Sequence, residues 1–259
     1  MIQKQNFYAT LFSLSLMVSF SLTADAAGKK EPINHEEQYT ACIKLVERRP
    51  DAAFEAAISW ASQGGGFPAE HCATQALYAL KIYDAAATRL EKLADAMKTD
   101  NVELRSQILH QAGRAWYDHG DLERAFAVQS TAITMYPDGT EYYVDRAEIL
   151  AELGRFNEAL IDLEVALSLE PERADILALR ATSKRFLGDD IGAKQDIDKA
   201  LEIAPDNLEA LLERGILKRL AGDNNGARED WLRIVNIALG TPAADAAQLN
   251  LEKMDVTVE

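Results

Sequence analysis

The sequence predicts an all-α chain built as a solenoid of antiparallel helix pairs with a C-terminal cap helix. Three observations predict it. Gly120, Gly154, Gly188 and Gly222 stand 34 residues apart. Ala125, Ala159, Ala193 and Ala227 follow them by five, and Pro137, Pro171 and Pro205 follow the first three by seventeen. Gly113, Ala147, Ala181 and Gly215 precede them by seven. A constant step of this size marks one supersecondary unit copied and stacked, and such arrays act by presenting a surface.

Each unit reads as two helices. In the clearest copy the first runs from Glu141 to Leu153 and the second from Asn157 to Leu169. Gly154 suits the position just past a helix end, where a left-handed backbone costs glycine nothing. Pro171 halts the second helix, since it has no N–H to donate and restricts the residue before it. The link between the helices is short, so they lie antiparallel. Ala147 and Ala159 let the two backbones approach. Leu150, Leu153, Leu160, Leu163, Leu167 and Leu169 supply apolar contacts at helical spacing.

Two charged ladders keep the same step. Arg146, Arg180 and Arg214 are 34 residues apart, as are Asp162, Asp196 and Asp230. In the unit before them the equivalent positions are Ala112 and Val128, so both charges are missing together. The expectation is an Arg–Asp clasp between the two helices of one unit, with a row of ligand-binding arginines as the alternative.

With these residues in hand, the chain resembles the tetratricopeptide repeat family. The resemblance rests on the small residue, the alanine and the proline. The early large slot holds Leu109, Tyr143, Leu177 and Leu211, and the later one holds Gln129, Leu163, Ile197 and Trp231. The slot three beyond the first small residue departs more, with Trp116, Leu150, Lys184 and Lys218. The resemblance implies a right-handed α-solenoid of four repeats, 106–139, 140–173, 174–207 and 208–241. It extends less regularly to two degenerate helix pairs over 36–105. Residues 242–259 read as a cap helix and tail. The segment with Cys42, Trp60, Gly64-Gly65-Gly66 and His71-Cys72 is similar to that of exported proteobacterial members of the family.

Residues 1–26 read as a signal peptide. Phe7 to Leu22 is apolar but short for a membrane span, and Ala24-Asp25-Ala26 offers a small-residue cleavage site. Residues 27–35 read as a flexible lead-in. The expected location is outside the cytoplasm, periplasmic in a Gram-negative cell, with no stable membrane insertion after cleavage. Export gives the two cysteines meaning: Cys42 and Cys72 have only each other, and a disulfide is expected. The alternative is a metal or redox site using Cys42, His71 and Cys72. Gly64-Gly65-Gly66 lacks the lysine and hydroxyl residue of a phosphate loop and reads as a helix stop and loose turn before Pro68.

The net charge is −15, which repels nucleic acid and favours basic partners. Members of the resembled family hold peptides on the inner face, lined by the first helix of each pair. Carried over, that face includes Tyr117, Asp118, Glu141, Asp145, Glu148, Glu152 and Arg185. Its acidic middle implies a partner protein or peptide that is basic. No nucleophile elbow, paired metal-binding histidines or phosphate-loop lysine is present, so neither catalysis nor a cofactor is expected. A structural subunit of an envelope assembly is the other reading of such an array.

Overall fold

The computed structural model describes residues 34–97 and 101–255. The proposed signal peptide, with its cleavage site, lies outside the described residues, as does the lead-in up to residue 33. Helices follow one another in pairs: α1 His35–Val46 and α2 Pro50–Trp60, α3 Gly66–Ala79 and α4 Tyr83–Ala96, α5 Val102–His119 and α6 Leu122–Met135. Then come α7 Thr140–Glu152 and α8 Phe156–Leu169, α9 Ala174–Phe186 and α10 Asp190–Ile203, α11 Leu208–Leu220 and α12 Asn224–Ile237, and last α13 Pro242–Asp255. The fold is an all-α helical repeat, and among the described residues no helix is long and apolar enough to cross a membrane.

Local chemistry explains the turns. Gly120, Gly154, Gly188 and Gly222 take φ of 89°, 72°, 82° and 86° just past the first helix of their pairs. In three cases the next residue is an aspartate that caps the second helix. Asp121, Asp189 and Asp223 accept hydrogen bonds from the amides of Arg124, Gly192 and Gly226. Each Pro stands two residues beyond its second helix, where continuation would need its missing N–H.

One boundary differs from the sequence reading. Helix α5 starts at Val102, so the repeat edge set at 106 falls inside it; Asn101 caps it by accepting from the Leu104 amide at 3.0 Å. The glycine run ends the helix, as the sequence reading expects: the helical course of α2 is broken at Gly64, whose backbone is not helical, and α3 starts at Gly66. Gly64 and Gly66 take φ of 92° and 54°, so the chain reverses within the run itself. Gly65 is buried on Trp60, where a Cβ would come within 2.7 Å of the indole.

Packing between paired helices depends on reciprocal size. Ala125, Ala159, Ala193 and Ala227 are completely buried. Opposite the small position of each first helix lies the later large slot of the second. Gly113 faces Gln129, and a Cβ there would meet its Oε1 at 2.6 Å. Gly215 faces Trp231, and a Cβ would meet its Cδ1 at 2.8 Å. The two middle repeats carry Ala147 and Ala181 with the smaller Leu163 and Ile197. Gly215→Ala is therefore expected to destabilise by a net ~1–2 kcal/mol, overpacking outweighing the better helix propensity of alanine. In a Trp231→Leu background the same change should cost nothing. A loss of equal size in both backgrounds, read from urea midpoints, would overturn this account. Helix α13 closes the array, and Ala244 and Ala247 cover the apolar face around Trp231 and Ile234.

Candidate functional site

The odd-numbered helices approach one another from α7 to α13, whereas the even-numbered helices contact mainly their neighbours in sequence. The odd helices therefore form the inner wall, which is where the acidic residues read from the sequence stand.

A pocket of about 120 Å³ opens between α3, α5 and α7, lined by Tyr78, Arg114, Tyr117, Asp118, Asp145, Glu148 and Ile149. Its carboxyls are poorly neutralised. Asp145 Oδ2 is buried without a hydrogen-bond partner. The nearest cation, the Arg114 Nε, stands 3.6 Å away, and His110 Nε2 lies at 3.5 Å. His110 is neutral: burial, then the Arg114 charge, push it down to about 4, and Gln129 Nε2 donates to its Nδ1. Burial pushes the Asp145 carboxyl up to about 6, with Glu141 and Asp118 adding to the effect against Arg114. Burial and the neighbouring Asp145 push Glu148 up to about 7. Tyr117 is pushed up to about 12 by burial and by Glu148 and Glu152. An enclosed carboxylate oxygen that lacks a partner, beside a second carboxyl raised by burial, has a deficit that a bound cation would fill.

The structure treats the other residues of the expected inner-face set differently. Tyr117, Asp118, Asp145 and Glu148 converge on the pocket, and Tyr78 donates to Asp118. Glu152 is exposed at the end of α7. Glu141 accepts from Arg173 Nη1 at 2.8 Å and is partly occupied. Arg185 hydrogen-bonds the buried Glu213 and lies 4.3 Å from the Phe186 ring centroid, so it ties α9 to α11. That engagement is not legible in the sequence, because the two residues face each other only when adjacent repeats stack.

The charged ladders meet within each pair. Arg146 donates to Asp162 from Nε at 2.8 Å and Nη2 at 2.7 Å. Arg180 does so to Asp196 at 2.8 and 2.6 Å, and Arg214 to Asp230 at 2.9 and 2.6 Å. The aspartates are buried, and the forked geometry makes these structural clasps. The two lysines that depart from the family pattern take part: Lys184 Nζ stands 2.7 Å from Asp196, and Lys218 Nζ 2.8 Å from Asp230. Burial alone would raise these two carboxyls, but the hydrogen bonds from Arg and Lys hold both below the usual aspartate range. Their stabilisation is present above the unfolded aspartate value and is lost as pH falls through the lowered one.

At the N-terminal end a disulfide joins Cys42 of α1 to Cys72 of α3, with Cα atoms 6.3 Å apart. Both sulfurs are thereby used. Among the described residues no group of three or more His, Cys, Asp and Glu is placed to hold a metal ion.

Stacked helix pairs with a grooved inner wall and glycine-and-proline punctuated turns define an all-α helical repeat. Residues 114–183 match the family model described as tetratricopeptide repeat. DnaJ homolog subfamily C member 7 of Mus musculus is 34% identical over 85 residues, 33% of this chain. The match spans only 16% of that protein's length. Among solved structures, pilF of Pseudomonas aeruginosa superposes with a TM-score of 0.63 at 14% identity, covering 83% of this chain and 97% of that one. YrrB, described as a TPR protein with an unusual peptide-binding site, superposes with a TM-score of 0.55 at 18% identity, covering 67% and 88%. The likeness to the tetratricopeptide repeat model covers residues 114–183, and the solved structures show the helical repeat fold.

Proposed function

We propose that the chain is a protein–protein interaction scaffold, exported from the cytoplasm, that holds a basic segment of another envelope protein on its inner wall. The observation that carries the reading is the pocket in which half-buried Asp145 and Glu148 stand together, with Asp145 Oδ2 lacking a hydrogen-bond partner. The Cys42–Cys72 disulfide and the apolar leader from Phe7 to Leu22 support export.

The test is the binding of a fluorescein-labelled Lys-rich peptide, read by anisotropy. Affinity should rise between about pH 5 and pH 8, as Asp145 and Glu148 ionise at about 6 and about 7. His110, Arg114, Tyr117 and Asp118 of α5, Tyr78 of α3, Glu141 of α7 and Asp175 of α9 also face or bias these carboxyls. Salt should weaken binding. The free protein should behave oppositely. Its raised carboxyls bind more protons folded than unfolded, so their cost grows as pH rises through that window. Glu148→Gln should therefore stabilise the free protein at pH 8 by roughly 2 kcal/mol and weaken the peptide. Peptide affinity unchanged by Glu148→Lys, but lost on Phe186→Asp, would instead assign recognition to the exposed edge of the array.

A further inference from the structure

Beside the acidic pocket lies a larger cavity of different chemistry. It measures about 500 Å³, sits between α1, α3 and α5, and is walled by His35, Tyr39, Phe67, His71, Leu104 and Ile108. That volume lies within the ~300–1,000 Å³ range typical of ligand pockets. Its rings are held in place by stacking. The Phe67 and His71 centroids are 6.0 Å apart with planes 7° from parallel, and His35 stacks on Trp60 at 5.9 Å.

Apart from the exposed Glu36 and Gln107, the polar side chains of α3 and α5 on this wall satisfy one another. Gln111 Oε1 accepts from His71 Nε2 at 2.9 Å and from Gln75 Nε2 at 2.7 Å. Nδ1 of His71 then accepts from the Tyr39 hydroxyl at 2.8 Å. Burial lowers the His71 pKa, which keeps the ring neutral. The wall therefore offers ring faces and aliphatic surface, with its hydrogen-bonding capacity already turned inward. An apolar ligand therefore strands no polar group of this wall, and among the described residues the Glu36 carboxylate is the one anionic group that borders it.

A small hollow lies between the two sites. Gln111 borders both this cavity and that hollow, which also touches Tyr78 and Arg114, and those two residues border the acidic pocket. One trough thus crosses α3 and α5, apolar at one end and acidic at the other. From the segment 104–111 to the segment 114–118 is roughly 13 Å along α5 at the α-helical rise. An extended peptide covers that distance in about four residues.

Building on the peptide-holding reading above, we propose that the α1/α3/α5 cavity is an anchor pocket for an aromatic side chain of an extended peptide. A Lys or Arg about four residues away in that peptide lies against Asp145 and Glu148. An aromatic anchor matches the ring-lined wall, because offset and edge-to-face ring contacts add to the area buried. The charge contrast between the two ends sets the direction in which the peptide lies. The Cys42–Cys72 bond holds α1 against α3, and so holds the cavity open for the anchor.

The test uses the full chain and a labelled octapeptide, Gly-Trp-Ser-Gly-Ser-Lys-Lys-Gly, with versions carrying Ala for Trp or Glu for both Lys. Replacing Trp by Ala should weaken binding about 10- to 100-fold, the range for losing one buried aromatic side chain. Gln107→Trp, which fills the cavity from an exposed position on α5, should abolish the Trp advantage and keep the Lys requirement. Glu148→Gln should weaken the Lys requirement and keep the Trp advantage. Equal binding of the Trp and Ala peptides, with Lys still required, would overturn the anchor and leave the basic-peptide reading standing. Loss of both requirements, or no binding at all, would overturn both.

Discussion

Arg146→Leu is expected to cost about 3–5 kcal/mol of unfolding free energy, because it strands a buried carboxylate. Asp162 is 3% exposed and takes hydrogen bonds from Arg146 Nε and Nη2. The position that carries Lys184 and Lys218 in the next two repeats is Leu150 here. Arg180→Leu should cost less, about 1.5–3 kcal/mol, the worth of hydrogen bonds to a charged group. In that variant the Lys184 Nζ remains 2.7 Å from Asp196. Removing both charges in Arg146→Leu/Asp162→Leu should restore most of the loss, since two apolar side chains of matching volume leave nothing unpaired. Urea unfolding of the four proteins reads these differences. Equal losses at Arg146 and Arg180, with additive behaviour in the double variant, would refute the account.

Cys42→Ser/Cys72→Ser is expected to lower stability by about 3–4 kcal/mol, from the loss of a constraint that spans 30 residues of chain. The loss should be local. In a repeat array each unit contacts only its neighbours, so opening is confined to the end that lost the bond. Amide hydrogen exchange should accelerate across α1, α2 and α3 while α9 to α12 keep their protection. The cavity lined by Tyr39 of α1 and His71 of α3 should lose its wall, and the aromatic preference of the octapeptide should go with it. Unchanged exchange in α1 after reduction would show that packing around Tyr39, Ile43 and Phe54 holds the end without the bond.

Two residues show where sequence reading reaches and where it stops. Gly215 is legible as a small position because its step repeats. That it must be Gly and not Ala depends on Trp231, sixteen residues later, whose indole fills the space of a Cβ. Arg185 reads as a free groove cation because the acidic residue at helical spacing, Asp189, lies beyond Gly188, where the helix has ended. Its partner Glu213 is 28 residues away and reaches it only through the stacking of α9 on α11. Lys184 and Lys218 read as departures from a family pattern, yet they are second cations on buried aspartates. The signal that could have found them was their position four residues after Arg180 and Arg214, on the same helix face.

The sequence by itself determined the helix pair, its step and the residues that end each helix. Those follow from turn chemistry, which acts over a few residues: glycine in a left-handed backbone, proline without an N–H, and aspartate capping the next helix. Only the tertiary structure decided which inner-wall charges are already used and which remain open, and that an apolar cavity runs into an acidic pocket. Those outcomes depend on side chains 28 to 40 residues apart, such as Arg185 with Glu213 and His71 with Gln111. They meet when one repeat is laid on the next, and the rise and rotation between repeats are set by the size of every buried side chain between them.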